Sequence, residues 1–202
     1  MSTVPSNPGR RSSLADAGLR VLASSGARGL THRAVDAAAD VPTGTTSNYF
    51  RSRDALLGAL ADRIFERRTP SASRLDPLAS QPPSVSLVAA YVRDIVDRVL
   101  GEPELTLALL ELRLEATRRP SLAPVLGRTL ATGYQGDVAF HLGRGLPGGA
   151  REIELLHYAI DGLVLDRLTA SIHPAEAPPP DLDAIVTDLV RRIVPASPGS
   201  RA

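Results

Sequence analysis

The sequence predicts an all-α protein, and three observations carry that prediction. Apolar residues recur at helical spacing in one stretch after another. No run combines period-two alternation with β-branched enrichment over a useful length. The later stretches are separated by breakers: Gly101 and Pro103, Pro120, GLPGGA from Gly145, and PAEAPPP from Pro174.

Taken in order, residues 12–25 place Leu14, Ala17, Gly18, Val21 and Leu22 on one stripe, with Asp16 and Arg20 off it, so a first amphipathic helix is expected. Gly26 and Gly29 then punctuate the chain. Thr31 is placed to cap a second, short helix through Ala38, whose inner face is Leu30, Ala34, Val35 and Ala38. DVPTG from Asp40 to Gly44 has turn chemistry, and the following TTSNYF is too short to fold alone, so it must pack on its neighbours. Leu56, Leu57, Leu60 and Ile64 mark a longer fourth helix from Arg53 to Arg68.

Residues 69–84, TPSASRLDPLASQPPS, are rich in Pro and Ser and read as an irregular linker. The expected organisation is a disordered tail over 1–9, a helical head over 10–68, the linker over 69–84, a helical body over 85–196, and a tail over 197–202. Helices are expected in the body at 85–100, 104–118, 122–142, 152–172 and 182–194. The last two are apolar over more than one stripe, and a surplus apolar face marks an interface. A homodimer seam is therefore expected on Ile153, Leu156, Ile160, Leu163, Val164, Ile185, Leu189 and Val190, with a monomeric core that uses all of them as the alternative.

Composition narrows the function. The 202 residues contain no cysteine, which removes disulfides, thiolate metal sites and cysteine catalysis. Every basic residue is arginine. Residues 10–68 hold ten arginines against six acids, and the rest holds 13 against 16, so a basic head precedes a slightly acidic body. No signal-like apolar segment opens the chain, no stretch is apolar long enough to span a bilayer, and a cytoplasmic location is expected. The four histidines lack metal-ligand spacing, no phosphate loop, nucleophile elbow or dinucleotide fingerprint is visible, and Glu111 and Glu115 read as a surface pair near Arg118 and Arg119. No enzyme activity, cofactor or metal is expected.

Helix, turn and helix between Thr31 and Phe50 carry the functional signal. The run LTHRAVDAAADVPTGTTSNYFRSRDALL resembles the DNA-binding segment of TetR-family regulators in its leading Thr31, its spaced Ala and Val, Gly44, the Tyr49–Phe50 end and the Arg53–Leu57 continuation. The likeness is clear over residues 10–68 and looser beyond, where LELRLEATRRPSL and IDGLVLDRL carry it. It implies a helix-turn-helix head on a dimerising helical body of bacterial type. Val41 and Phe50 read as core. Thr43, Thr45, Thr46, Ser47 and Asn48 are expected to face outward, a polar uncharged set suited to base edges, with Asn48 matched to adenine. Thr31, Arg33, Tyr49 and Arg53 are expected on phosphates. Arg10 and Arg11 read as a solvated tail or a minor-groove arm. Asp40 stands where the family usually has glycine and Ser47 where it often has tyrosine. Asp40 tolerates the left-handed backbone better than most residues.

The resemblance also implies that the body binds a small molecule. Its candidate polar groups are Tyr91, Arg113, Tyr134, His141, His157 and Asp161, each equally readable as a hydrogen-bonded core residue. The expected protein is thus a repressor, released by an effector from a palindromic double-stranded operator. The alternatives are a ligand-independent regulator or activator of the same fold, and an all-helical enzyme or ligand carrier.

Overall fold

A computed structural model describes residues 8–174, 178 and 180–195. Most of the expected 1–9 tail and all of the 197–202 tail lie outside the described residues. The helices are α1 (Pro8–Gly29), α2 (His32–Ala38), α3 (Thr45–Tyr49), α4 (Arg53–Arg68), α5 (Ala72–Ala79), α6 (Val85–Gly101), α7 (Pro103–Ala116), α8 (Ala123–Gly143), α9 (Ala150–Leu168) and α10 (Leu182–Ile193). The described residues contain no strand, as the absence of period-two alternation predicts.

Two compact units share the chain. The first takes residues 1–69 and 102–131, the second 70–101 and 132–202, so α8 starts in one and ends in the other. In the first unit α1 packs on α2, α4 and α7. One core joins Leu14, Leu22, Leu30, Val35, Phe50, Leu57 and Leu60 to Leu105, Ala108 and Leu112 of α7. The expected boundary thus departs from the packing: the chain leaves the head at residue 69 but returns to it for thirty residues. Periodicity reports that α7 has an apolar face and is silent on which helix covers it.

α1 begins earlier than expected, at Pro8, and its regular course breaks at Gly26, where φ of 64° is a left-handed value that a side chain would strain. α2 and α4 start on the caps their sequences supply. Thr31 accepts the Ala34 N–H and Ser52 the Ala55 N–H, each at 3.0 Å. Across the helices, Asp16 accepts from Nε and Nη2 of Arg63 at 3.0 and 2.9 Å, with Arg67 at 3.4 Å, tying α1 to α4.

In the second unit α6, α9 and α10 pack on one another. Leu87, Val88, Tyr91, Val92, Val96, Leu156, Val186 and Val190 form their core. The irregular linker expected at 69–84 contains α5 instead. Pro77 sits inside that helix, and Leu75 and Leu78 pack on the second core, while Arg74 pairs with Asp94 of α6 at 2.6 Å. Tertiary packing overrides a composition that reads as loop.

Candidate nucleic-acid interface

A five-residue helix has too few internal hydrogen bonds to hold itself, so α3 must be fixed from outside. Asp36 on α2 does this. Its carboxylate, buried in the first core, accepts the Gly44 N–H and the Thr46 N–H, each at 2.7 Å, and the Thr46 hydroxyl at 2.5 Å. One side chain from the preceding helix thereby serves as the N-terminal cap of α3, where the glycine at its start, with φ of 95°, has no side chain to offer. Burial alone would raise the Asp36 pKa. The hydrogen bonds from the Thr46 side chain, the Thr46 backbone and the Gly44 backbone, with the nearby His32, outweigh it and hold the carboxyl below its ordinary value.

The other end of α3 is held as firmly. Arg11 donates to the Tyr49 carbonyl at 3.1 Å and lies 4.5 Å from the Phe50 ring centroid, so it is neither a free tail nor a groove-reading arm. The His32 ring N–H donates to the Phe50 carbonyl at 2.7 Å. Between the two helices Asp40 takes the left-handed backbone expected of it, at φ 50°.

On this scaffold Thr31, Arg33, Thr43, Ser47 and Asn48 are exposed, and Thr45 and Tyr49 half-buried. Three of the hydroxyls are engaged locally: Thr31 caps α2, Thr45 donates to the Pro42 carbonyl at 2.6 Å and Ser47 to the Gly44 carbonyl at 2.8 Å. The Asn48 side chain is exposed and makes no hydrogen bond to the described residues.

Two expected contacts are corrected. Thr46 is fully buried, because its hydroxyl and N–H belong to the Asp36 cluster, so it cannot reach a base. Arg53 turns inward: its guanidinium donates to the Leu30 and Ala27 carbonyls and approaches Glu115 at 3.9 Å. Glu115 in turn is buried, accepts Arg119 at 2.6 Å and has Arg118 at 3.6 Å, so it is no surface carboxylate. The hydrogen bond from Arg119 leads the causes that lower its pKa, against desolvation. Asp36 and Glu115, the two carboxylates that organise the head, are what sequence reasoning missed; an acid beside Val35 on the inner face of α2 is the available signal.

The body candidates do not gather into one cluster. Arg113 is exposed and belongs to the first unit, the other five to the second. Asp161 is exposed. His141 is buried and donates to the Pro147 carbonyl at 2.8 Å. Tyr134 stacks edge-on with His157, which pairs with Asp137 at 3.1 Å. Tyr91 lies in the second core against Phe140. Of the expected dimer residues, Ile153, Leu156, Val164 and Val190 are buried within the single chain and are core, because α6 and α10 already cover that side of α9. Ile160, Leu163, Ile185 and Leu189 are half-buried, and the exposed apolar residues of α9 are Tyr158 and Leu165, at 62% and 47% of full exposure.

Residues 83–196 match the family of the tetracyclin repressor-like, C-terminal domain. The chain belongs to the TetR family of transcriptional regulators. The family is one of regulators and not of enzymes, which sets aside the enzyme alternative. An uncharacterised HTH-type transcriptional regulator from the dhlA 5′ region of Xanthobacter autotrophicus is 31% identical over 107 residues, 53% of this TetR-family chain and 53% of that protein. The match thus spans about half the length of that relative. Among solved structures, a TetR-family member from Streptomyces coelicolor A3 superposes with a TM-score of 0.69 at 26% identity, over 93% of this chain and 99% of that one. The multidrug binding protein EbrR in complex with imidazole gives 0.65 at 27%, over 97% of this chain and 100% of that one.

Proposed function

We propose that this protein is a homodimeric repressor that binds a palindromic DNA operator through α3 of each protomer and is released by a small molecule held in the helical body. The observation that carries the DNA reading is the pinning of α3 by Asp36 and Arg11, which leaves Thr43, Ser47 and Asn48 facing outward from a rigid support. Residues 10–68 form the DNA-binding head, Asn48 contacts base edges, and Arg33, with Thr31 and Tyr49 beside it, contacts phosphate. That EbrR was solved with ethidium and with proflavin supports an effector for this chain as well. No helix among the described residues is long and apolar enough to cross a membrane, in keeping with a proposed cytoplasmic site of action.

Mobility-shift titration against a site selected from random DNA tests the reading. Asn48→Ala is expected to cost about 1–3 kcal/mol at its own base pair and to relax specificity there. Arg33→Ala weakens every sequence alike and lowers the salt slope by about 0.9 per half-site. Failure to select any site removes the proposal.

The second copy is proposed to dock on the exposed side of α9, centred on Tyr158 and Leu165 and flanked by the half-buried Ile160, Leu163, Ile185 and Leu189. Leu165→Arg, at a position the single chain leaves exposed, is expected to keep the helical circular dichroism while converting dimer to monomer by light scattering. Operator affinity then falls by about 100-fold or more through loss of bivalency. A variant that stays dimeric moves the interface elsewhere.

A further inference from the structure

Among the described residues of the second unit, the Tyr91 hydroxyl is the one uncharged side-chain group buried without a hydrogen-bond partner; the other such atoms there are guanidinium nitrogens of Arg93, Arg144 and Arg167. Tyr91 on α6 is buried among Leu87, Val88, Leu156 and Val190, and its hydroxyl finds no hydrogen-bond partner. A buried phenol without a partner is costly, and such groups in native proteins call for an explanation. Beside it the Phe140 ring stands edge-on at 5.1 Å between centroids and 88° between planes, and Phe140 itself is 39% exposed, so one side of this aromatic pair is open to approach.

The surroundings define what could satisfy the hydroxyl. Among the described residues of the second unit, His141 is the only other buried side chain with a polar atom, and its Nε2 is committed to the Pro147 carbonyl. No carboxylate among the described residues of that unit is buried, so a cation brought to Tyr91 would lose its hydration with no counter-charge to replace it. An anion fares no better, because the arginines there that have a buried nitrogen are already committed: Arg93 to Asp97 and Asp183, Arg144 to the Ala79 carbonyl and Arg167 to the Pro180 carbonyl.

We propose that Tyr91 donates a hydrogen bond to the effector, and that the effector is a neutral, largely apolar molecule presenting one acceptor oxygen, with an apolar or aromatic part against Phe140. This rests on the reading that the body takes an effector and deepens it. The class differs from the cationic dye ethidium held by EbrR in one of the related structures.

The test titrates the full chain with Nile red, a neutral dye bearing a carbonyl, and with ethidium. Wild type is expected to bind Nile red saturably at one per protomer with a blue-shifted emission, and ethidium not saturably. Tyr91→Phe, which removes only the hydroxyl, is expected to weaken Nile red about three- to tenfold, the range of one neutral hydrogen bond. Its melting temperature stays equal or rises, since an unsatisfied group has been deleted; a merely structural hydroxyl would lower it. Equal Nile red affinity in the variant, no saturable Nile red binding, or tighter binding of ethidium overturns the assignment. Operator release separates the two levels. If Nile red binds through Tyr91 without releasing DNA, the assignment stands and effector release by this site fails. If ethidium releases DNA equally from wild type and Tyr91→Phe, release stands and the assignment falls.

Discussion

Asp36→Ala is expected to abolish specific operator binding while leaving the second unit folded. The carboxylate is the one acceptor for the Gly44 N–H, the Thr46 N–H and the Thr46 hydroxyl. Removing it strands three donors at the first turn of α3, two of them on a residue with no exposure at all. Hydrogen bonds to an ionised acceptor contribute about 1.5–3 kcal/mol each, and stranded donors add their desolvation cost, so a loss of about 4.5 kcal/mol or more falls on this helix alone. At 1.4 kcal/mol per decade, operator affinity drops by more than about 100-fold even where the rest of the head persists. Asp36→Asn keeps one acceptor oxygen but turns an amide N–H₂ toward one of the donors, so its effect lies between alanine and wild type. The pH dependence has a fixed sign. Because the carboxyl titrates lower in the folded head than in the unfolded chain, its contribution is complete above about pH 4 and is lost as pH falls through the lower folded value. Binding should therefore be insensitive to this group between about pH 5 and 8. Mobility shifts alongside amide exchange of residues 44–50 check both statements; near-wild-type binding by Asp36→Ala would show that α3 is held by its apolar contacts alone.

The helices of the head were legible because each carries its own start and stripe. α4 runs over the predicted residues, Arg53–Arg68, since Ser52 caps it and Leu56, Leu57, Leu60 and Ile64 define its buried face. α3 is different. Every residue from Thr45 to Asn48 is polar, so no stripe tells inside from outside, and only the position of Asp36 one turn of chain away turns Thr46 inward and leaves Asn48 out. Arg53 was misread for a related reason: its targets are backbone carbonyls of Leu30 and Ala27, which leave no trace in side-chain pattern. In the body, the wide apolar face of α9 is read from sequence as a dimer seam, and within the chain it packs on α6 and α10. What the sequence could not apportion was which apolar residues serve α6 and α10 within the chain and which remain exposed, because that depends on long-range pairing. The same holds for α7, whose stripe fits α1 in the first unit although the helix before it, α6, belongs to the second.

The second large effect is expected at Arg53, and it separates support of the head from contact with DNA. Arg53 closes the connection between α1 and α2 through the Ala27 and Leu30 carbonyls and faces Glu115 of α7, which Arg118 and Arg119 also approach. Asp54, next in sequence, is held at 3.4 Å by Arg119 and accepts the Ser121 hydroxyl at 2.7 Å. The start of α4 is thus fastened to the end of α7 by several charges, of which Glu115 is buried. Taking one partner from a buried ion pair costs about 3–5 kcal/mol, mostly the penalty of the charge left behind. Glu115 keeps two arginines when Arg53 is lost, so Arg53→Gln is placed at the lower end, about 3 kcal/mol. Glu115→Ala leaves three arginines crowded and reaches at least that. Both variants should lower the melting temperature of the head and weaken DNA binding in proportion to the fraction unfolded, with the salt slope of the folded fraction unchanged. A phosphate contact behaves in the opposite way: stability is retained and the slope drops by about 0.9 per half-site. If Arg53→Gln melts like wild type and loses that slope, the guanidinium releases its carbonyls on binding DNA and serves the phosphate after all; if it melts early with the slope intact, Arg53 acts by holding α4 and α7 in place beneath the reading surface.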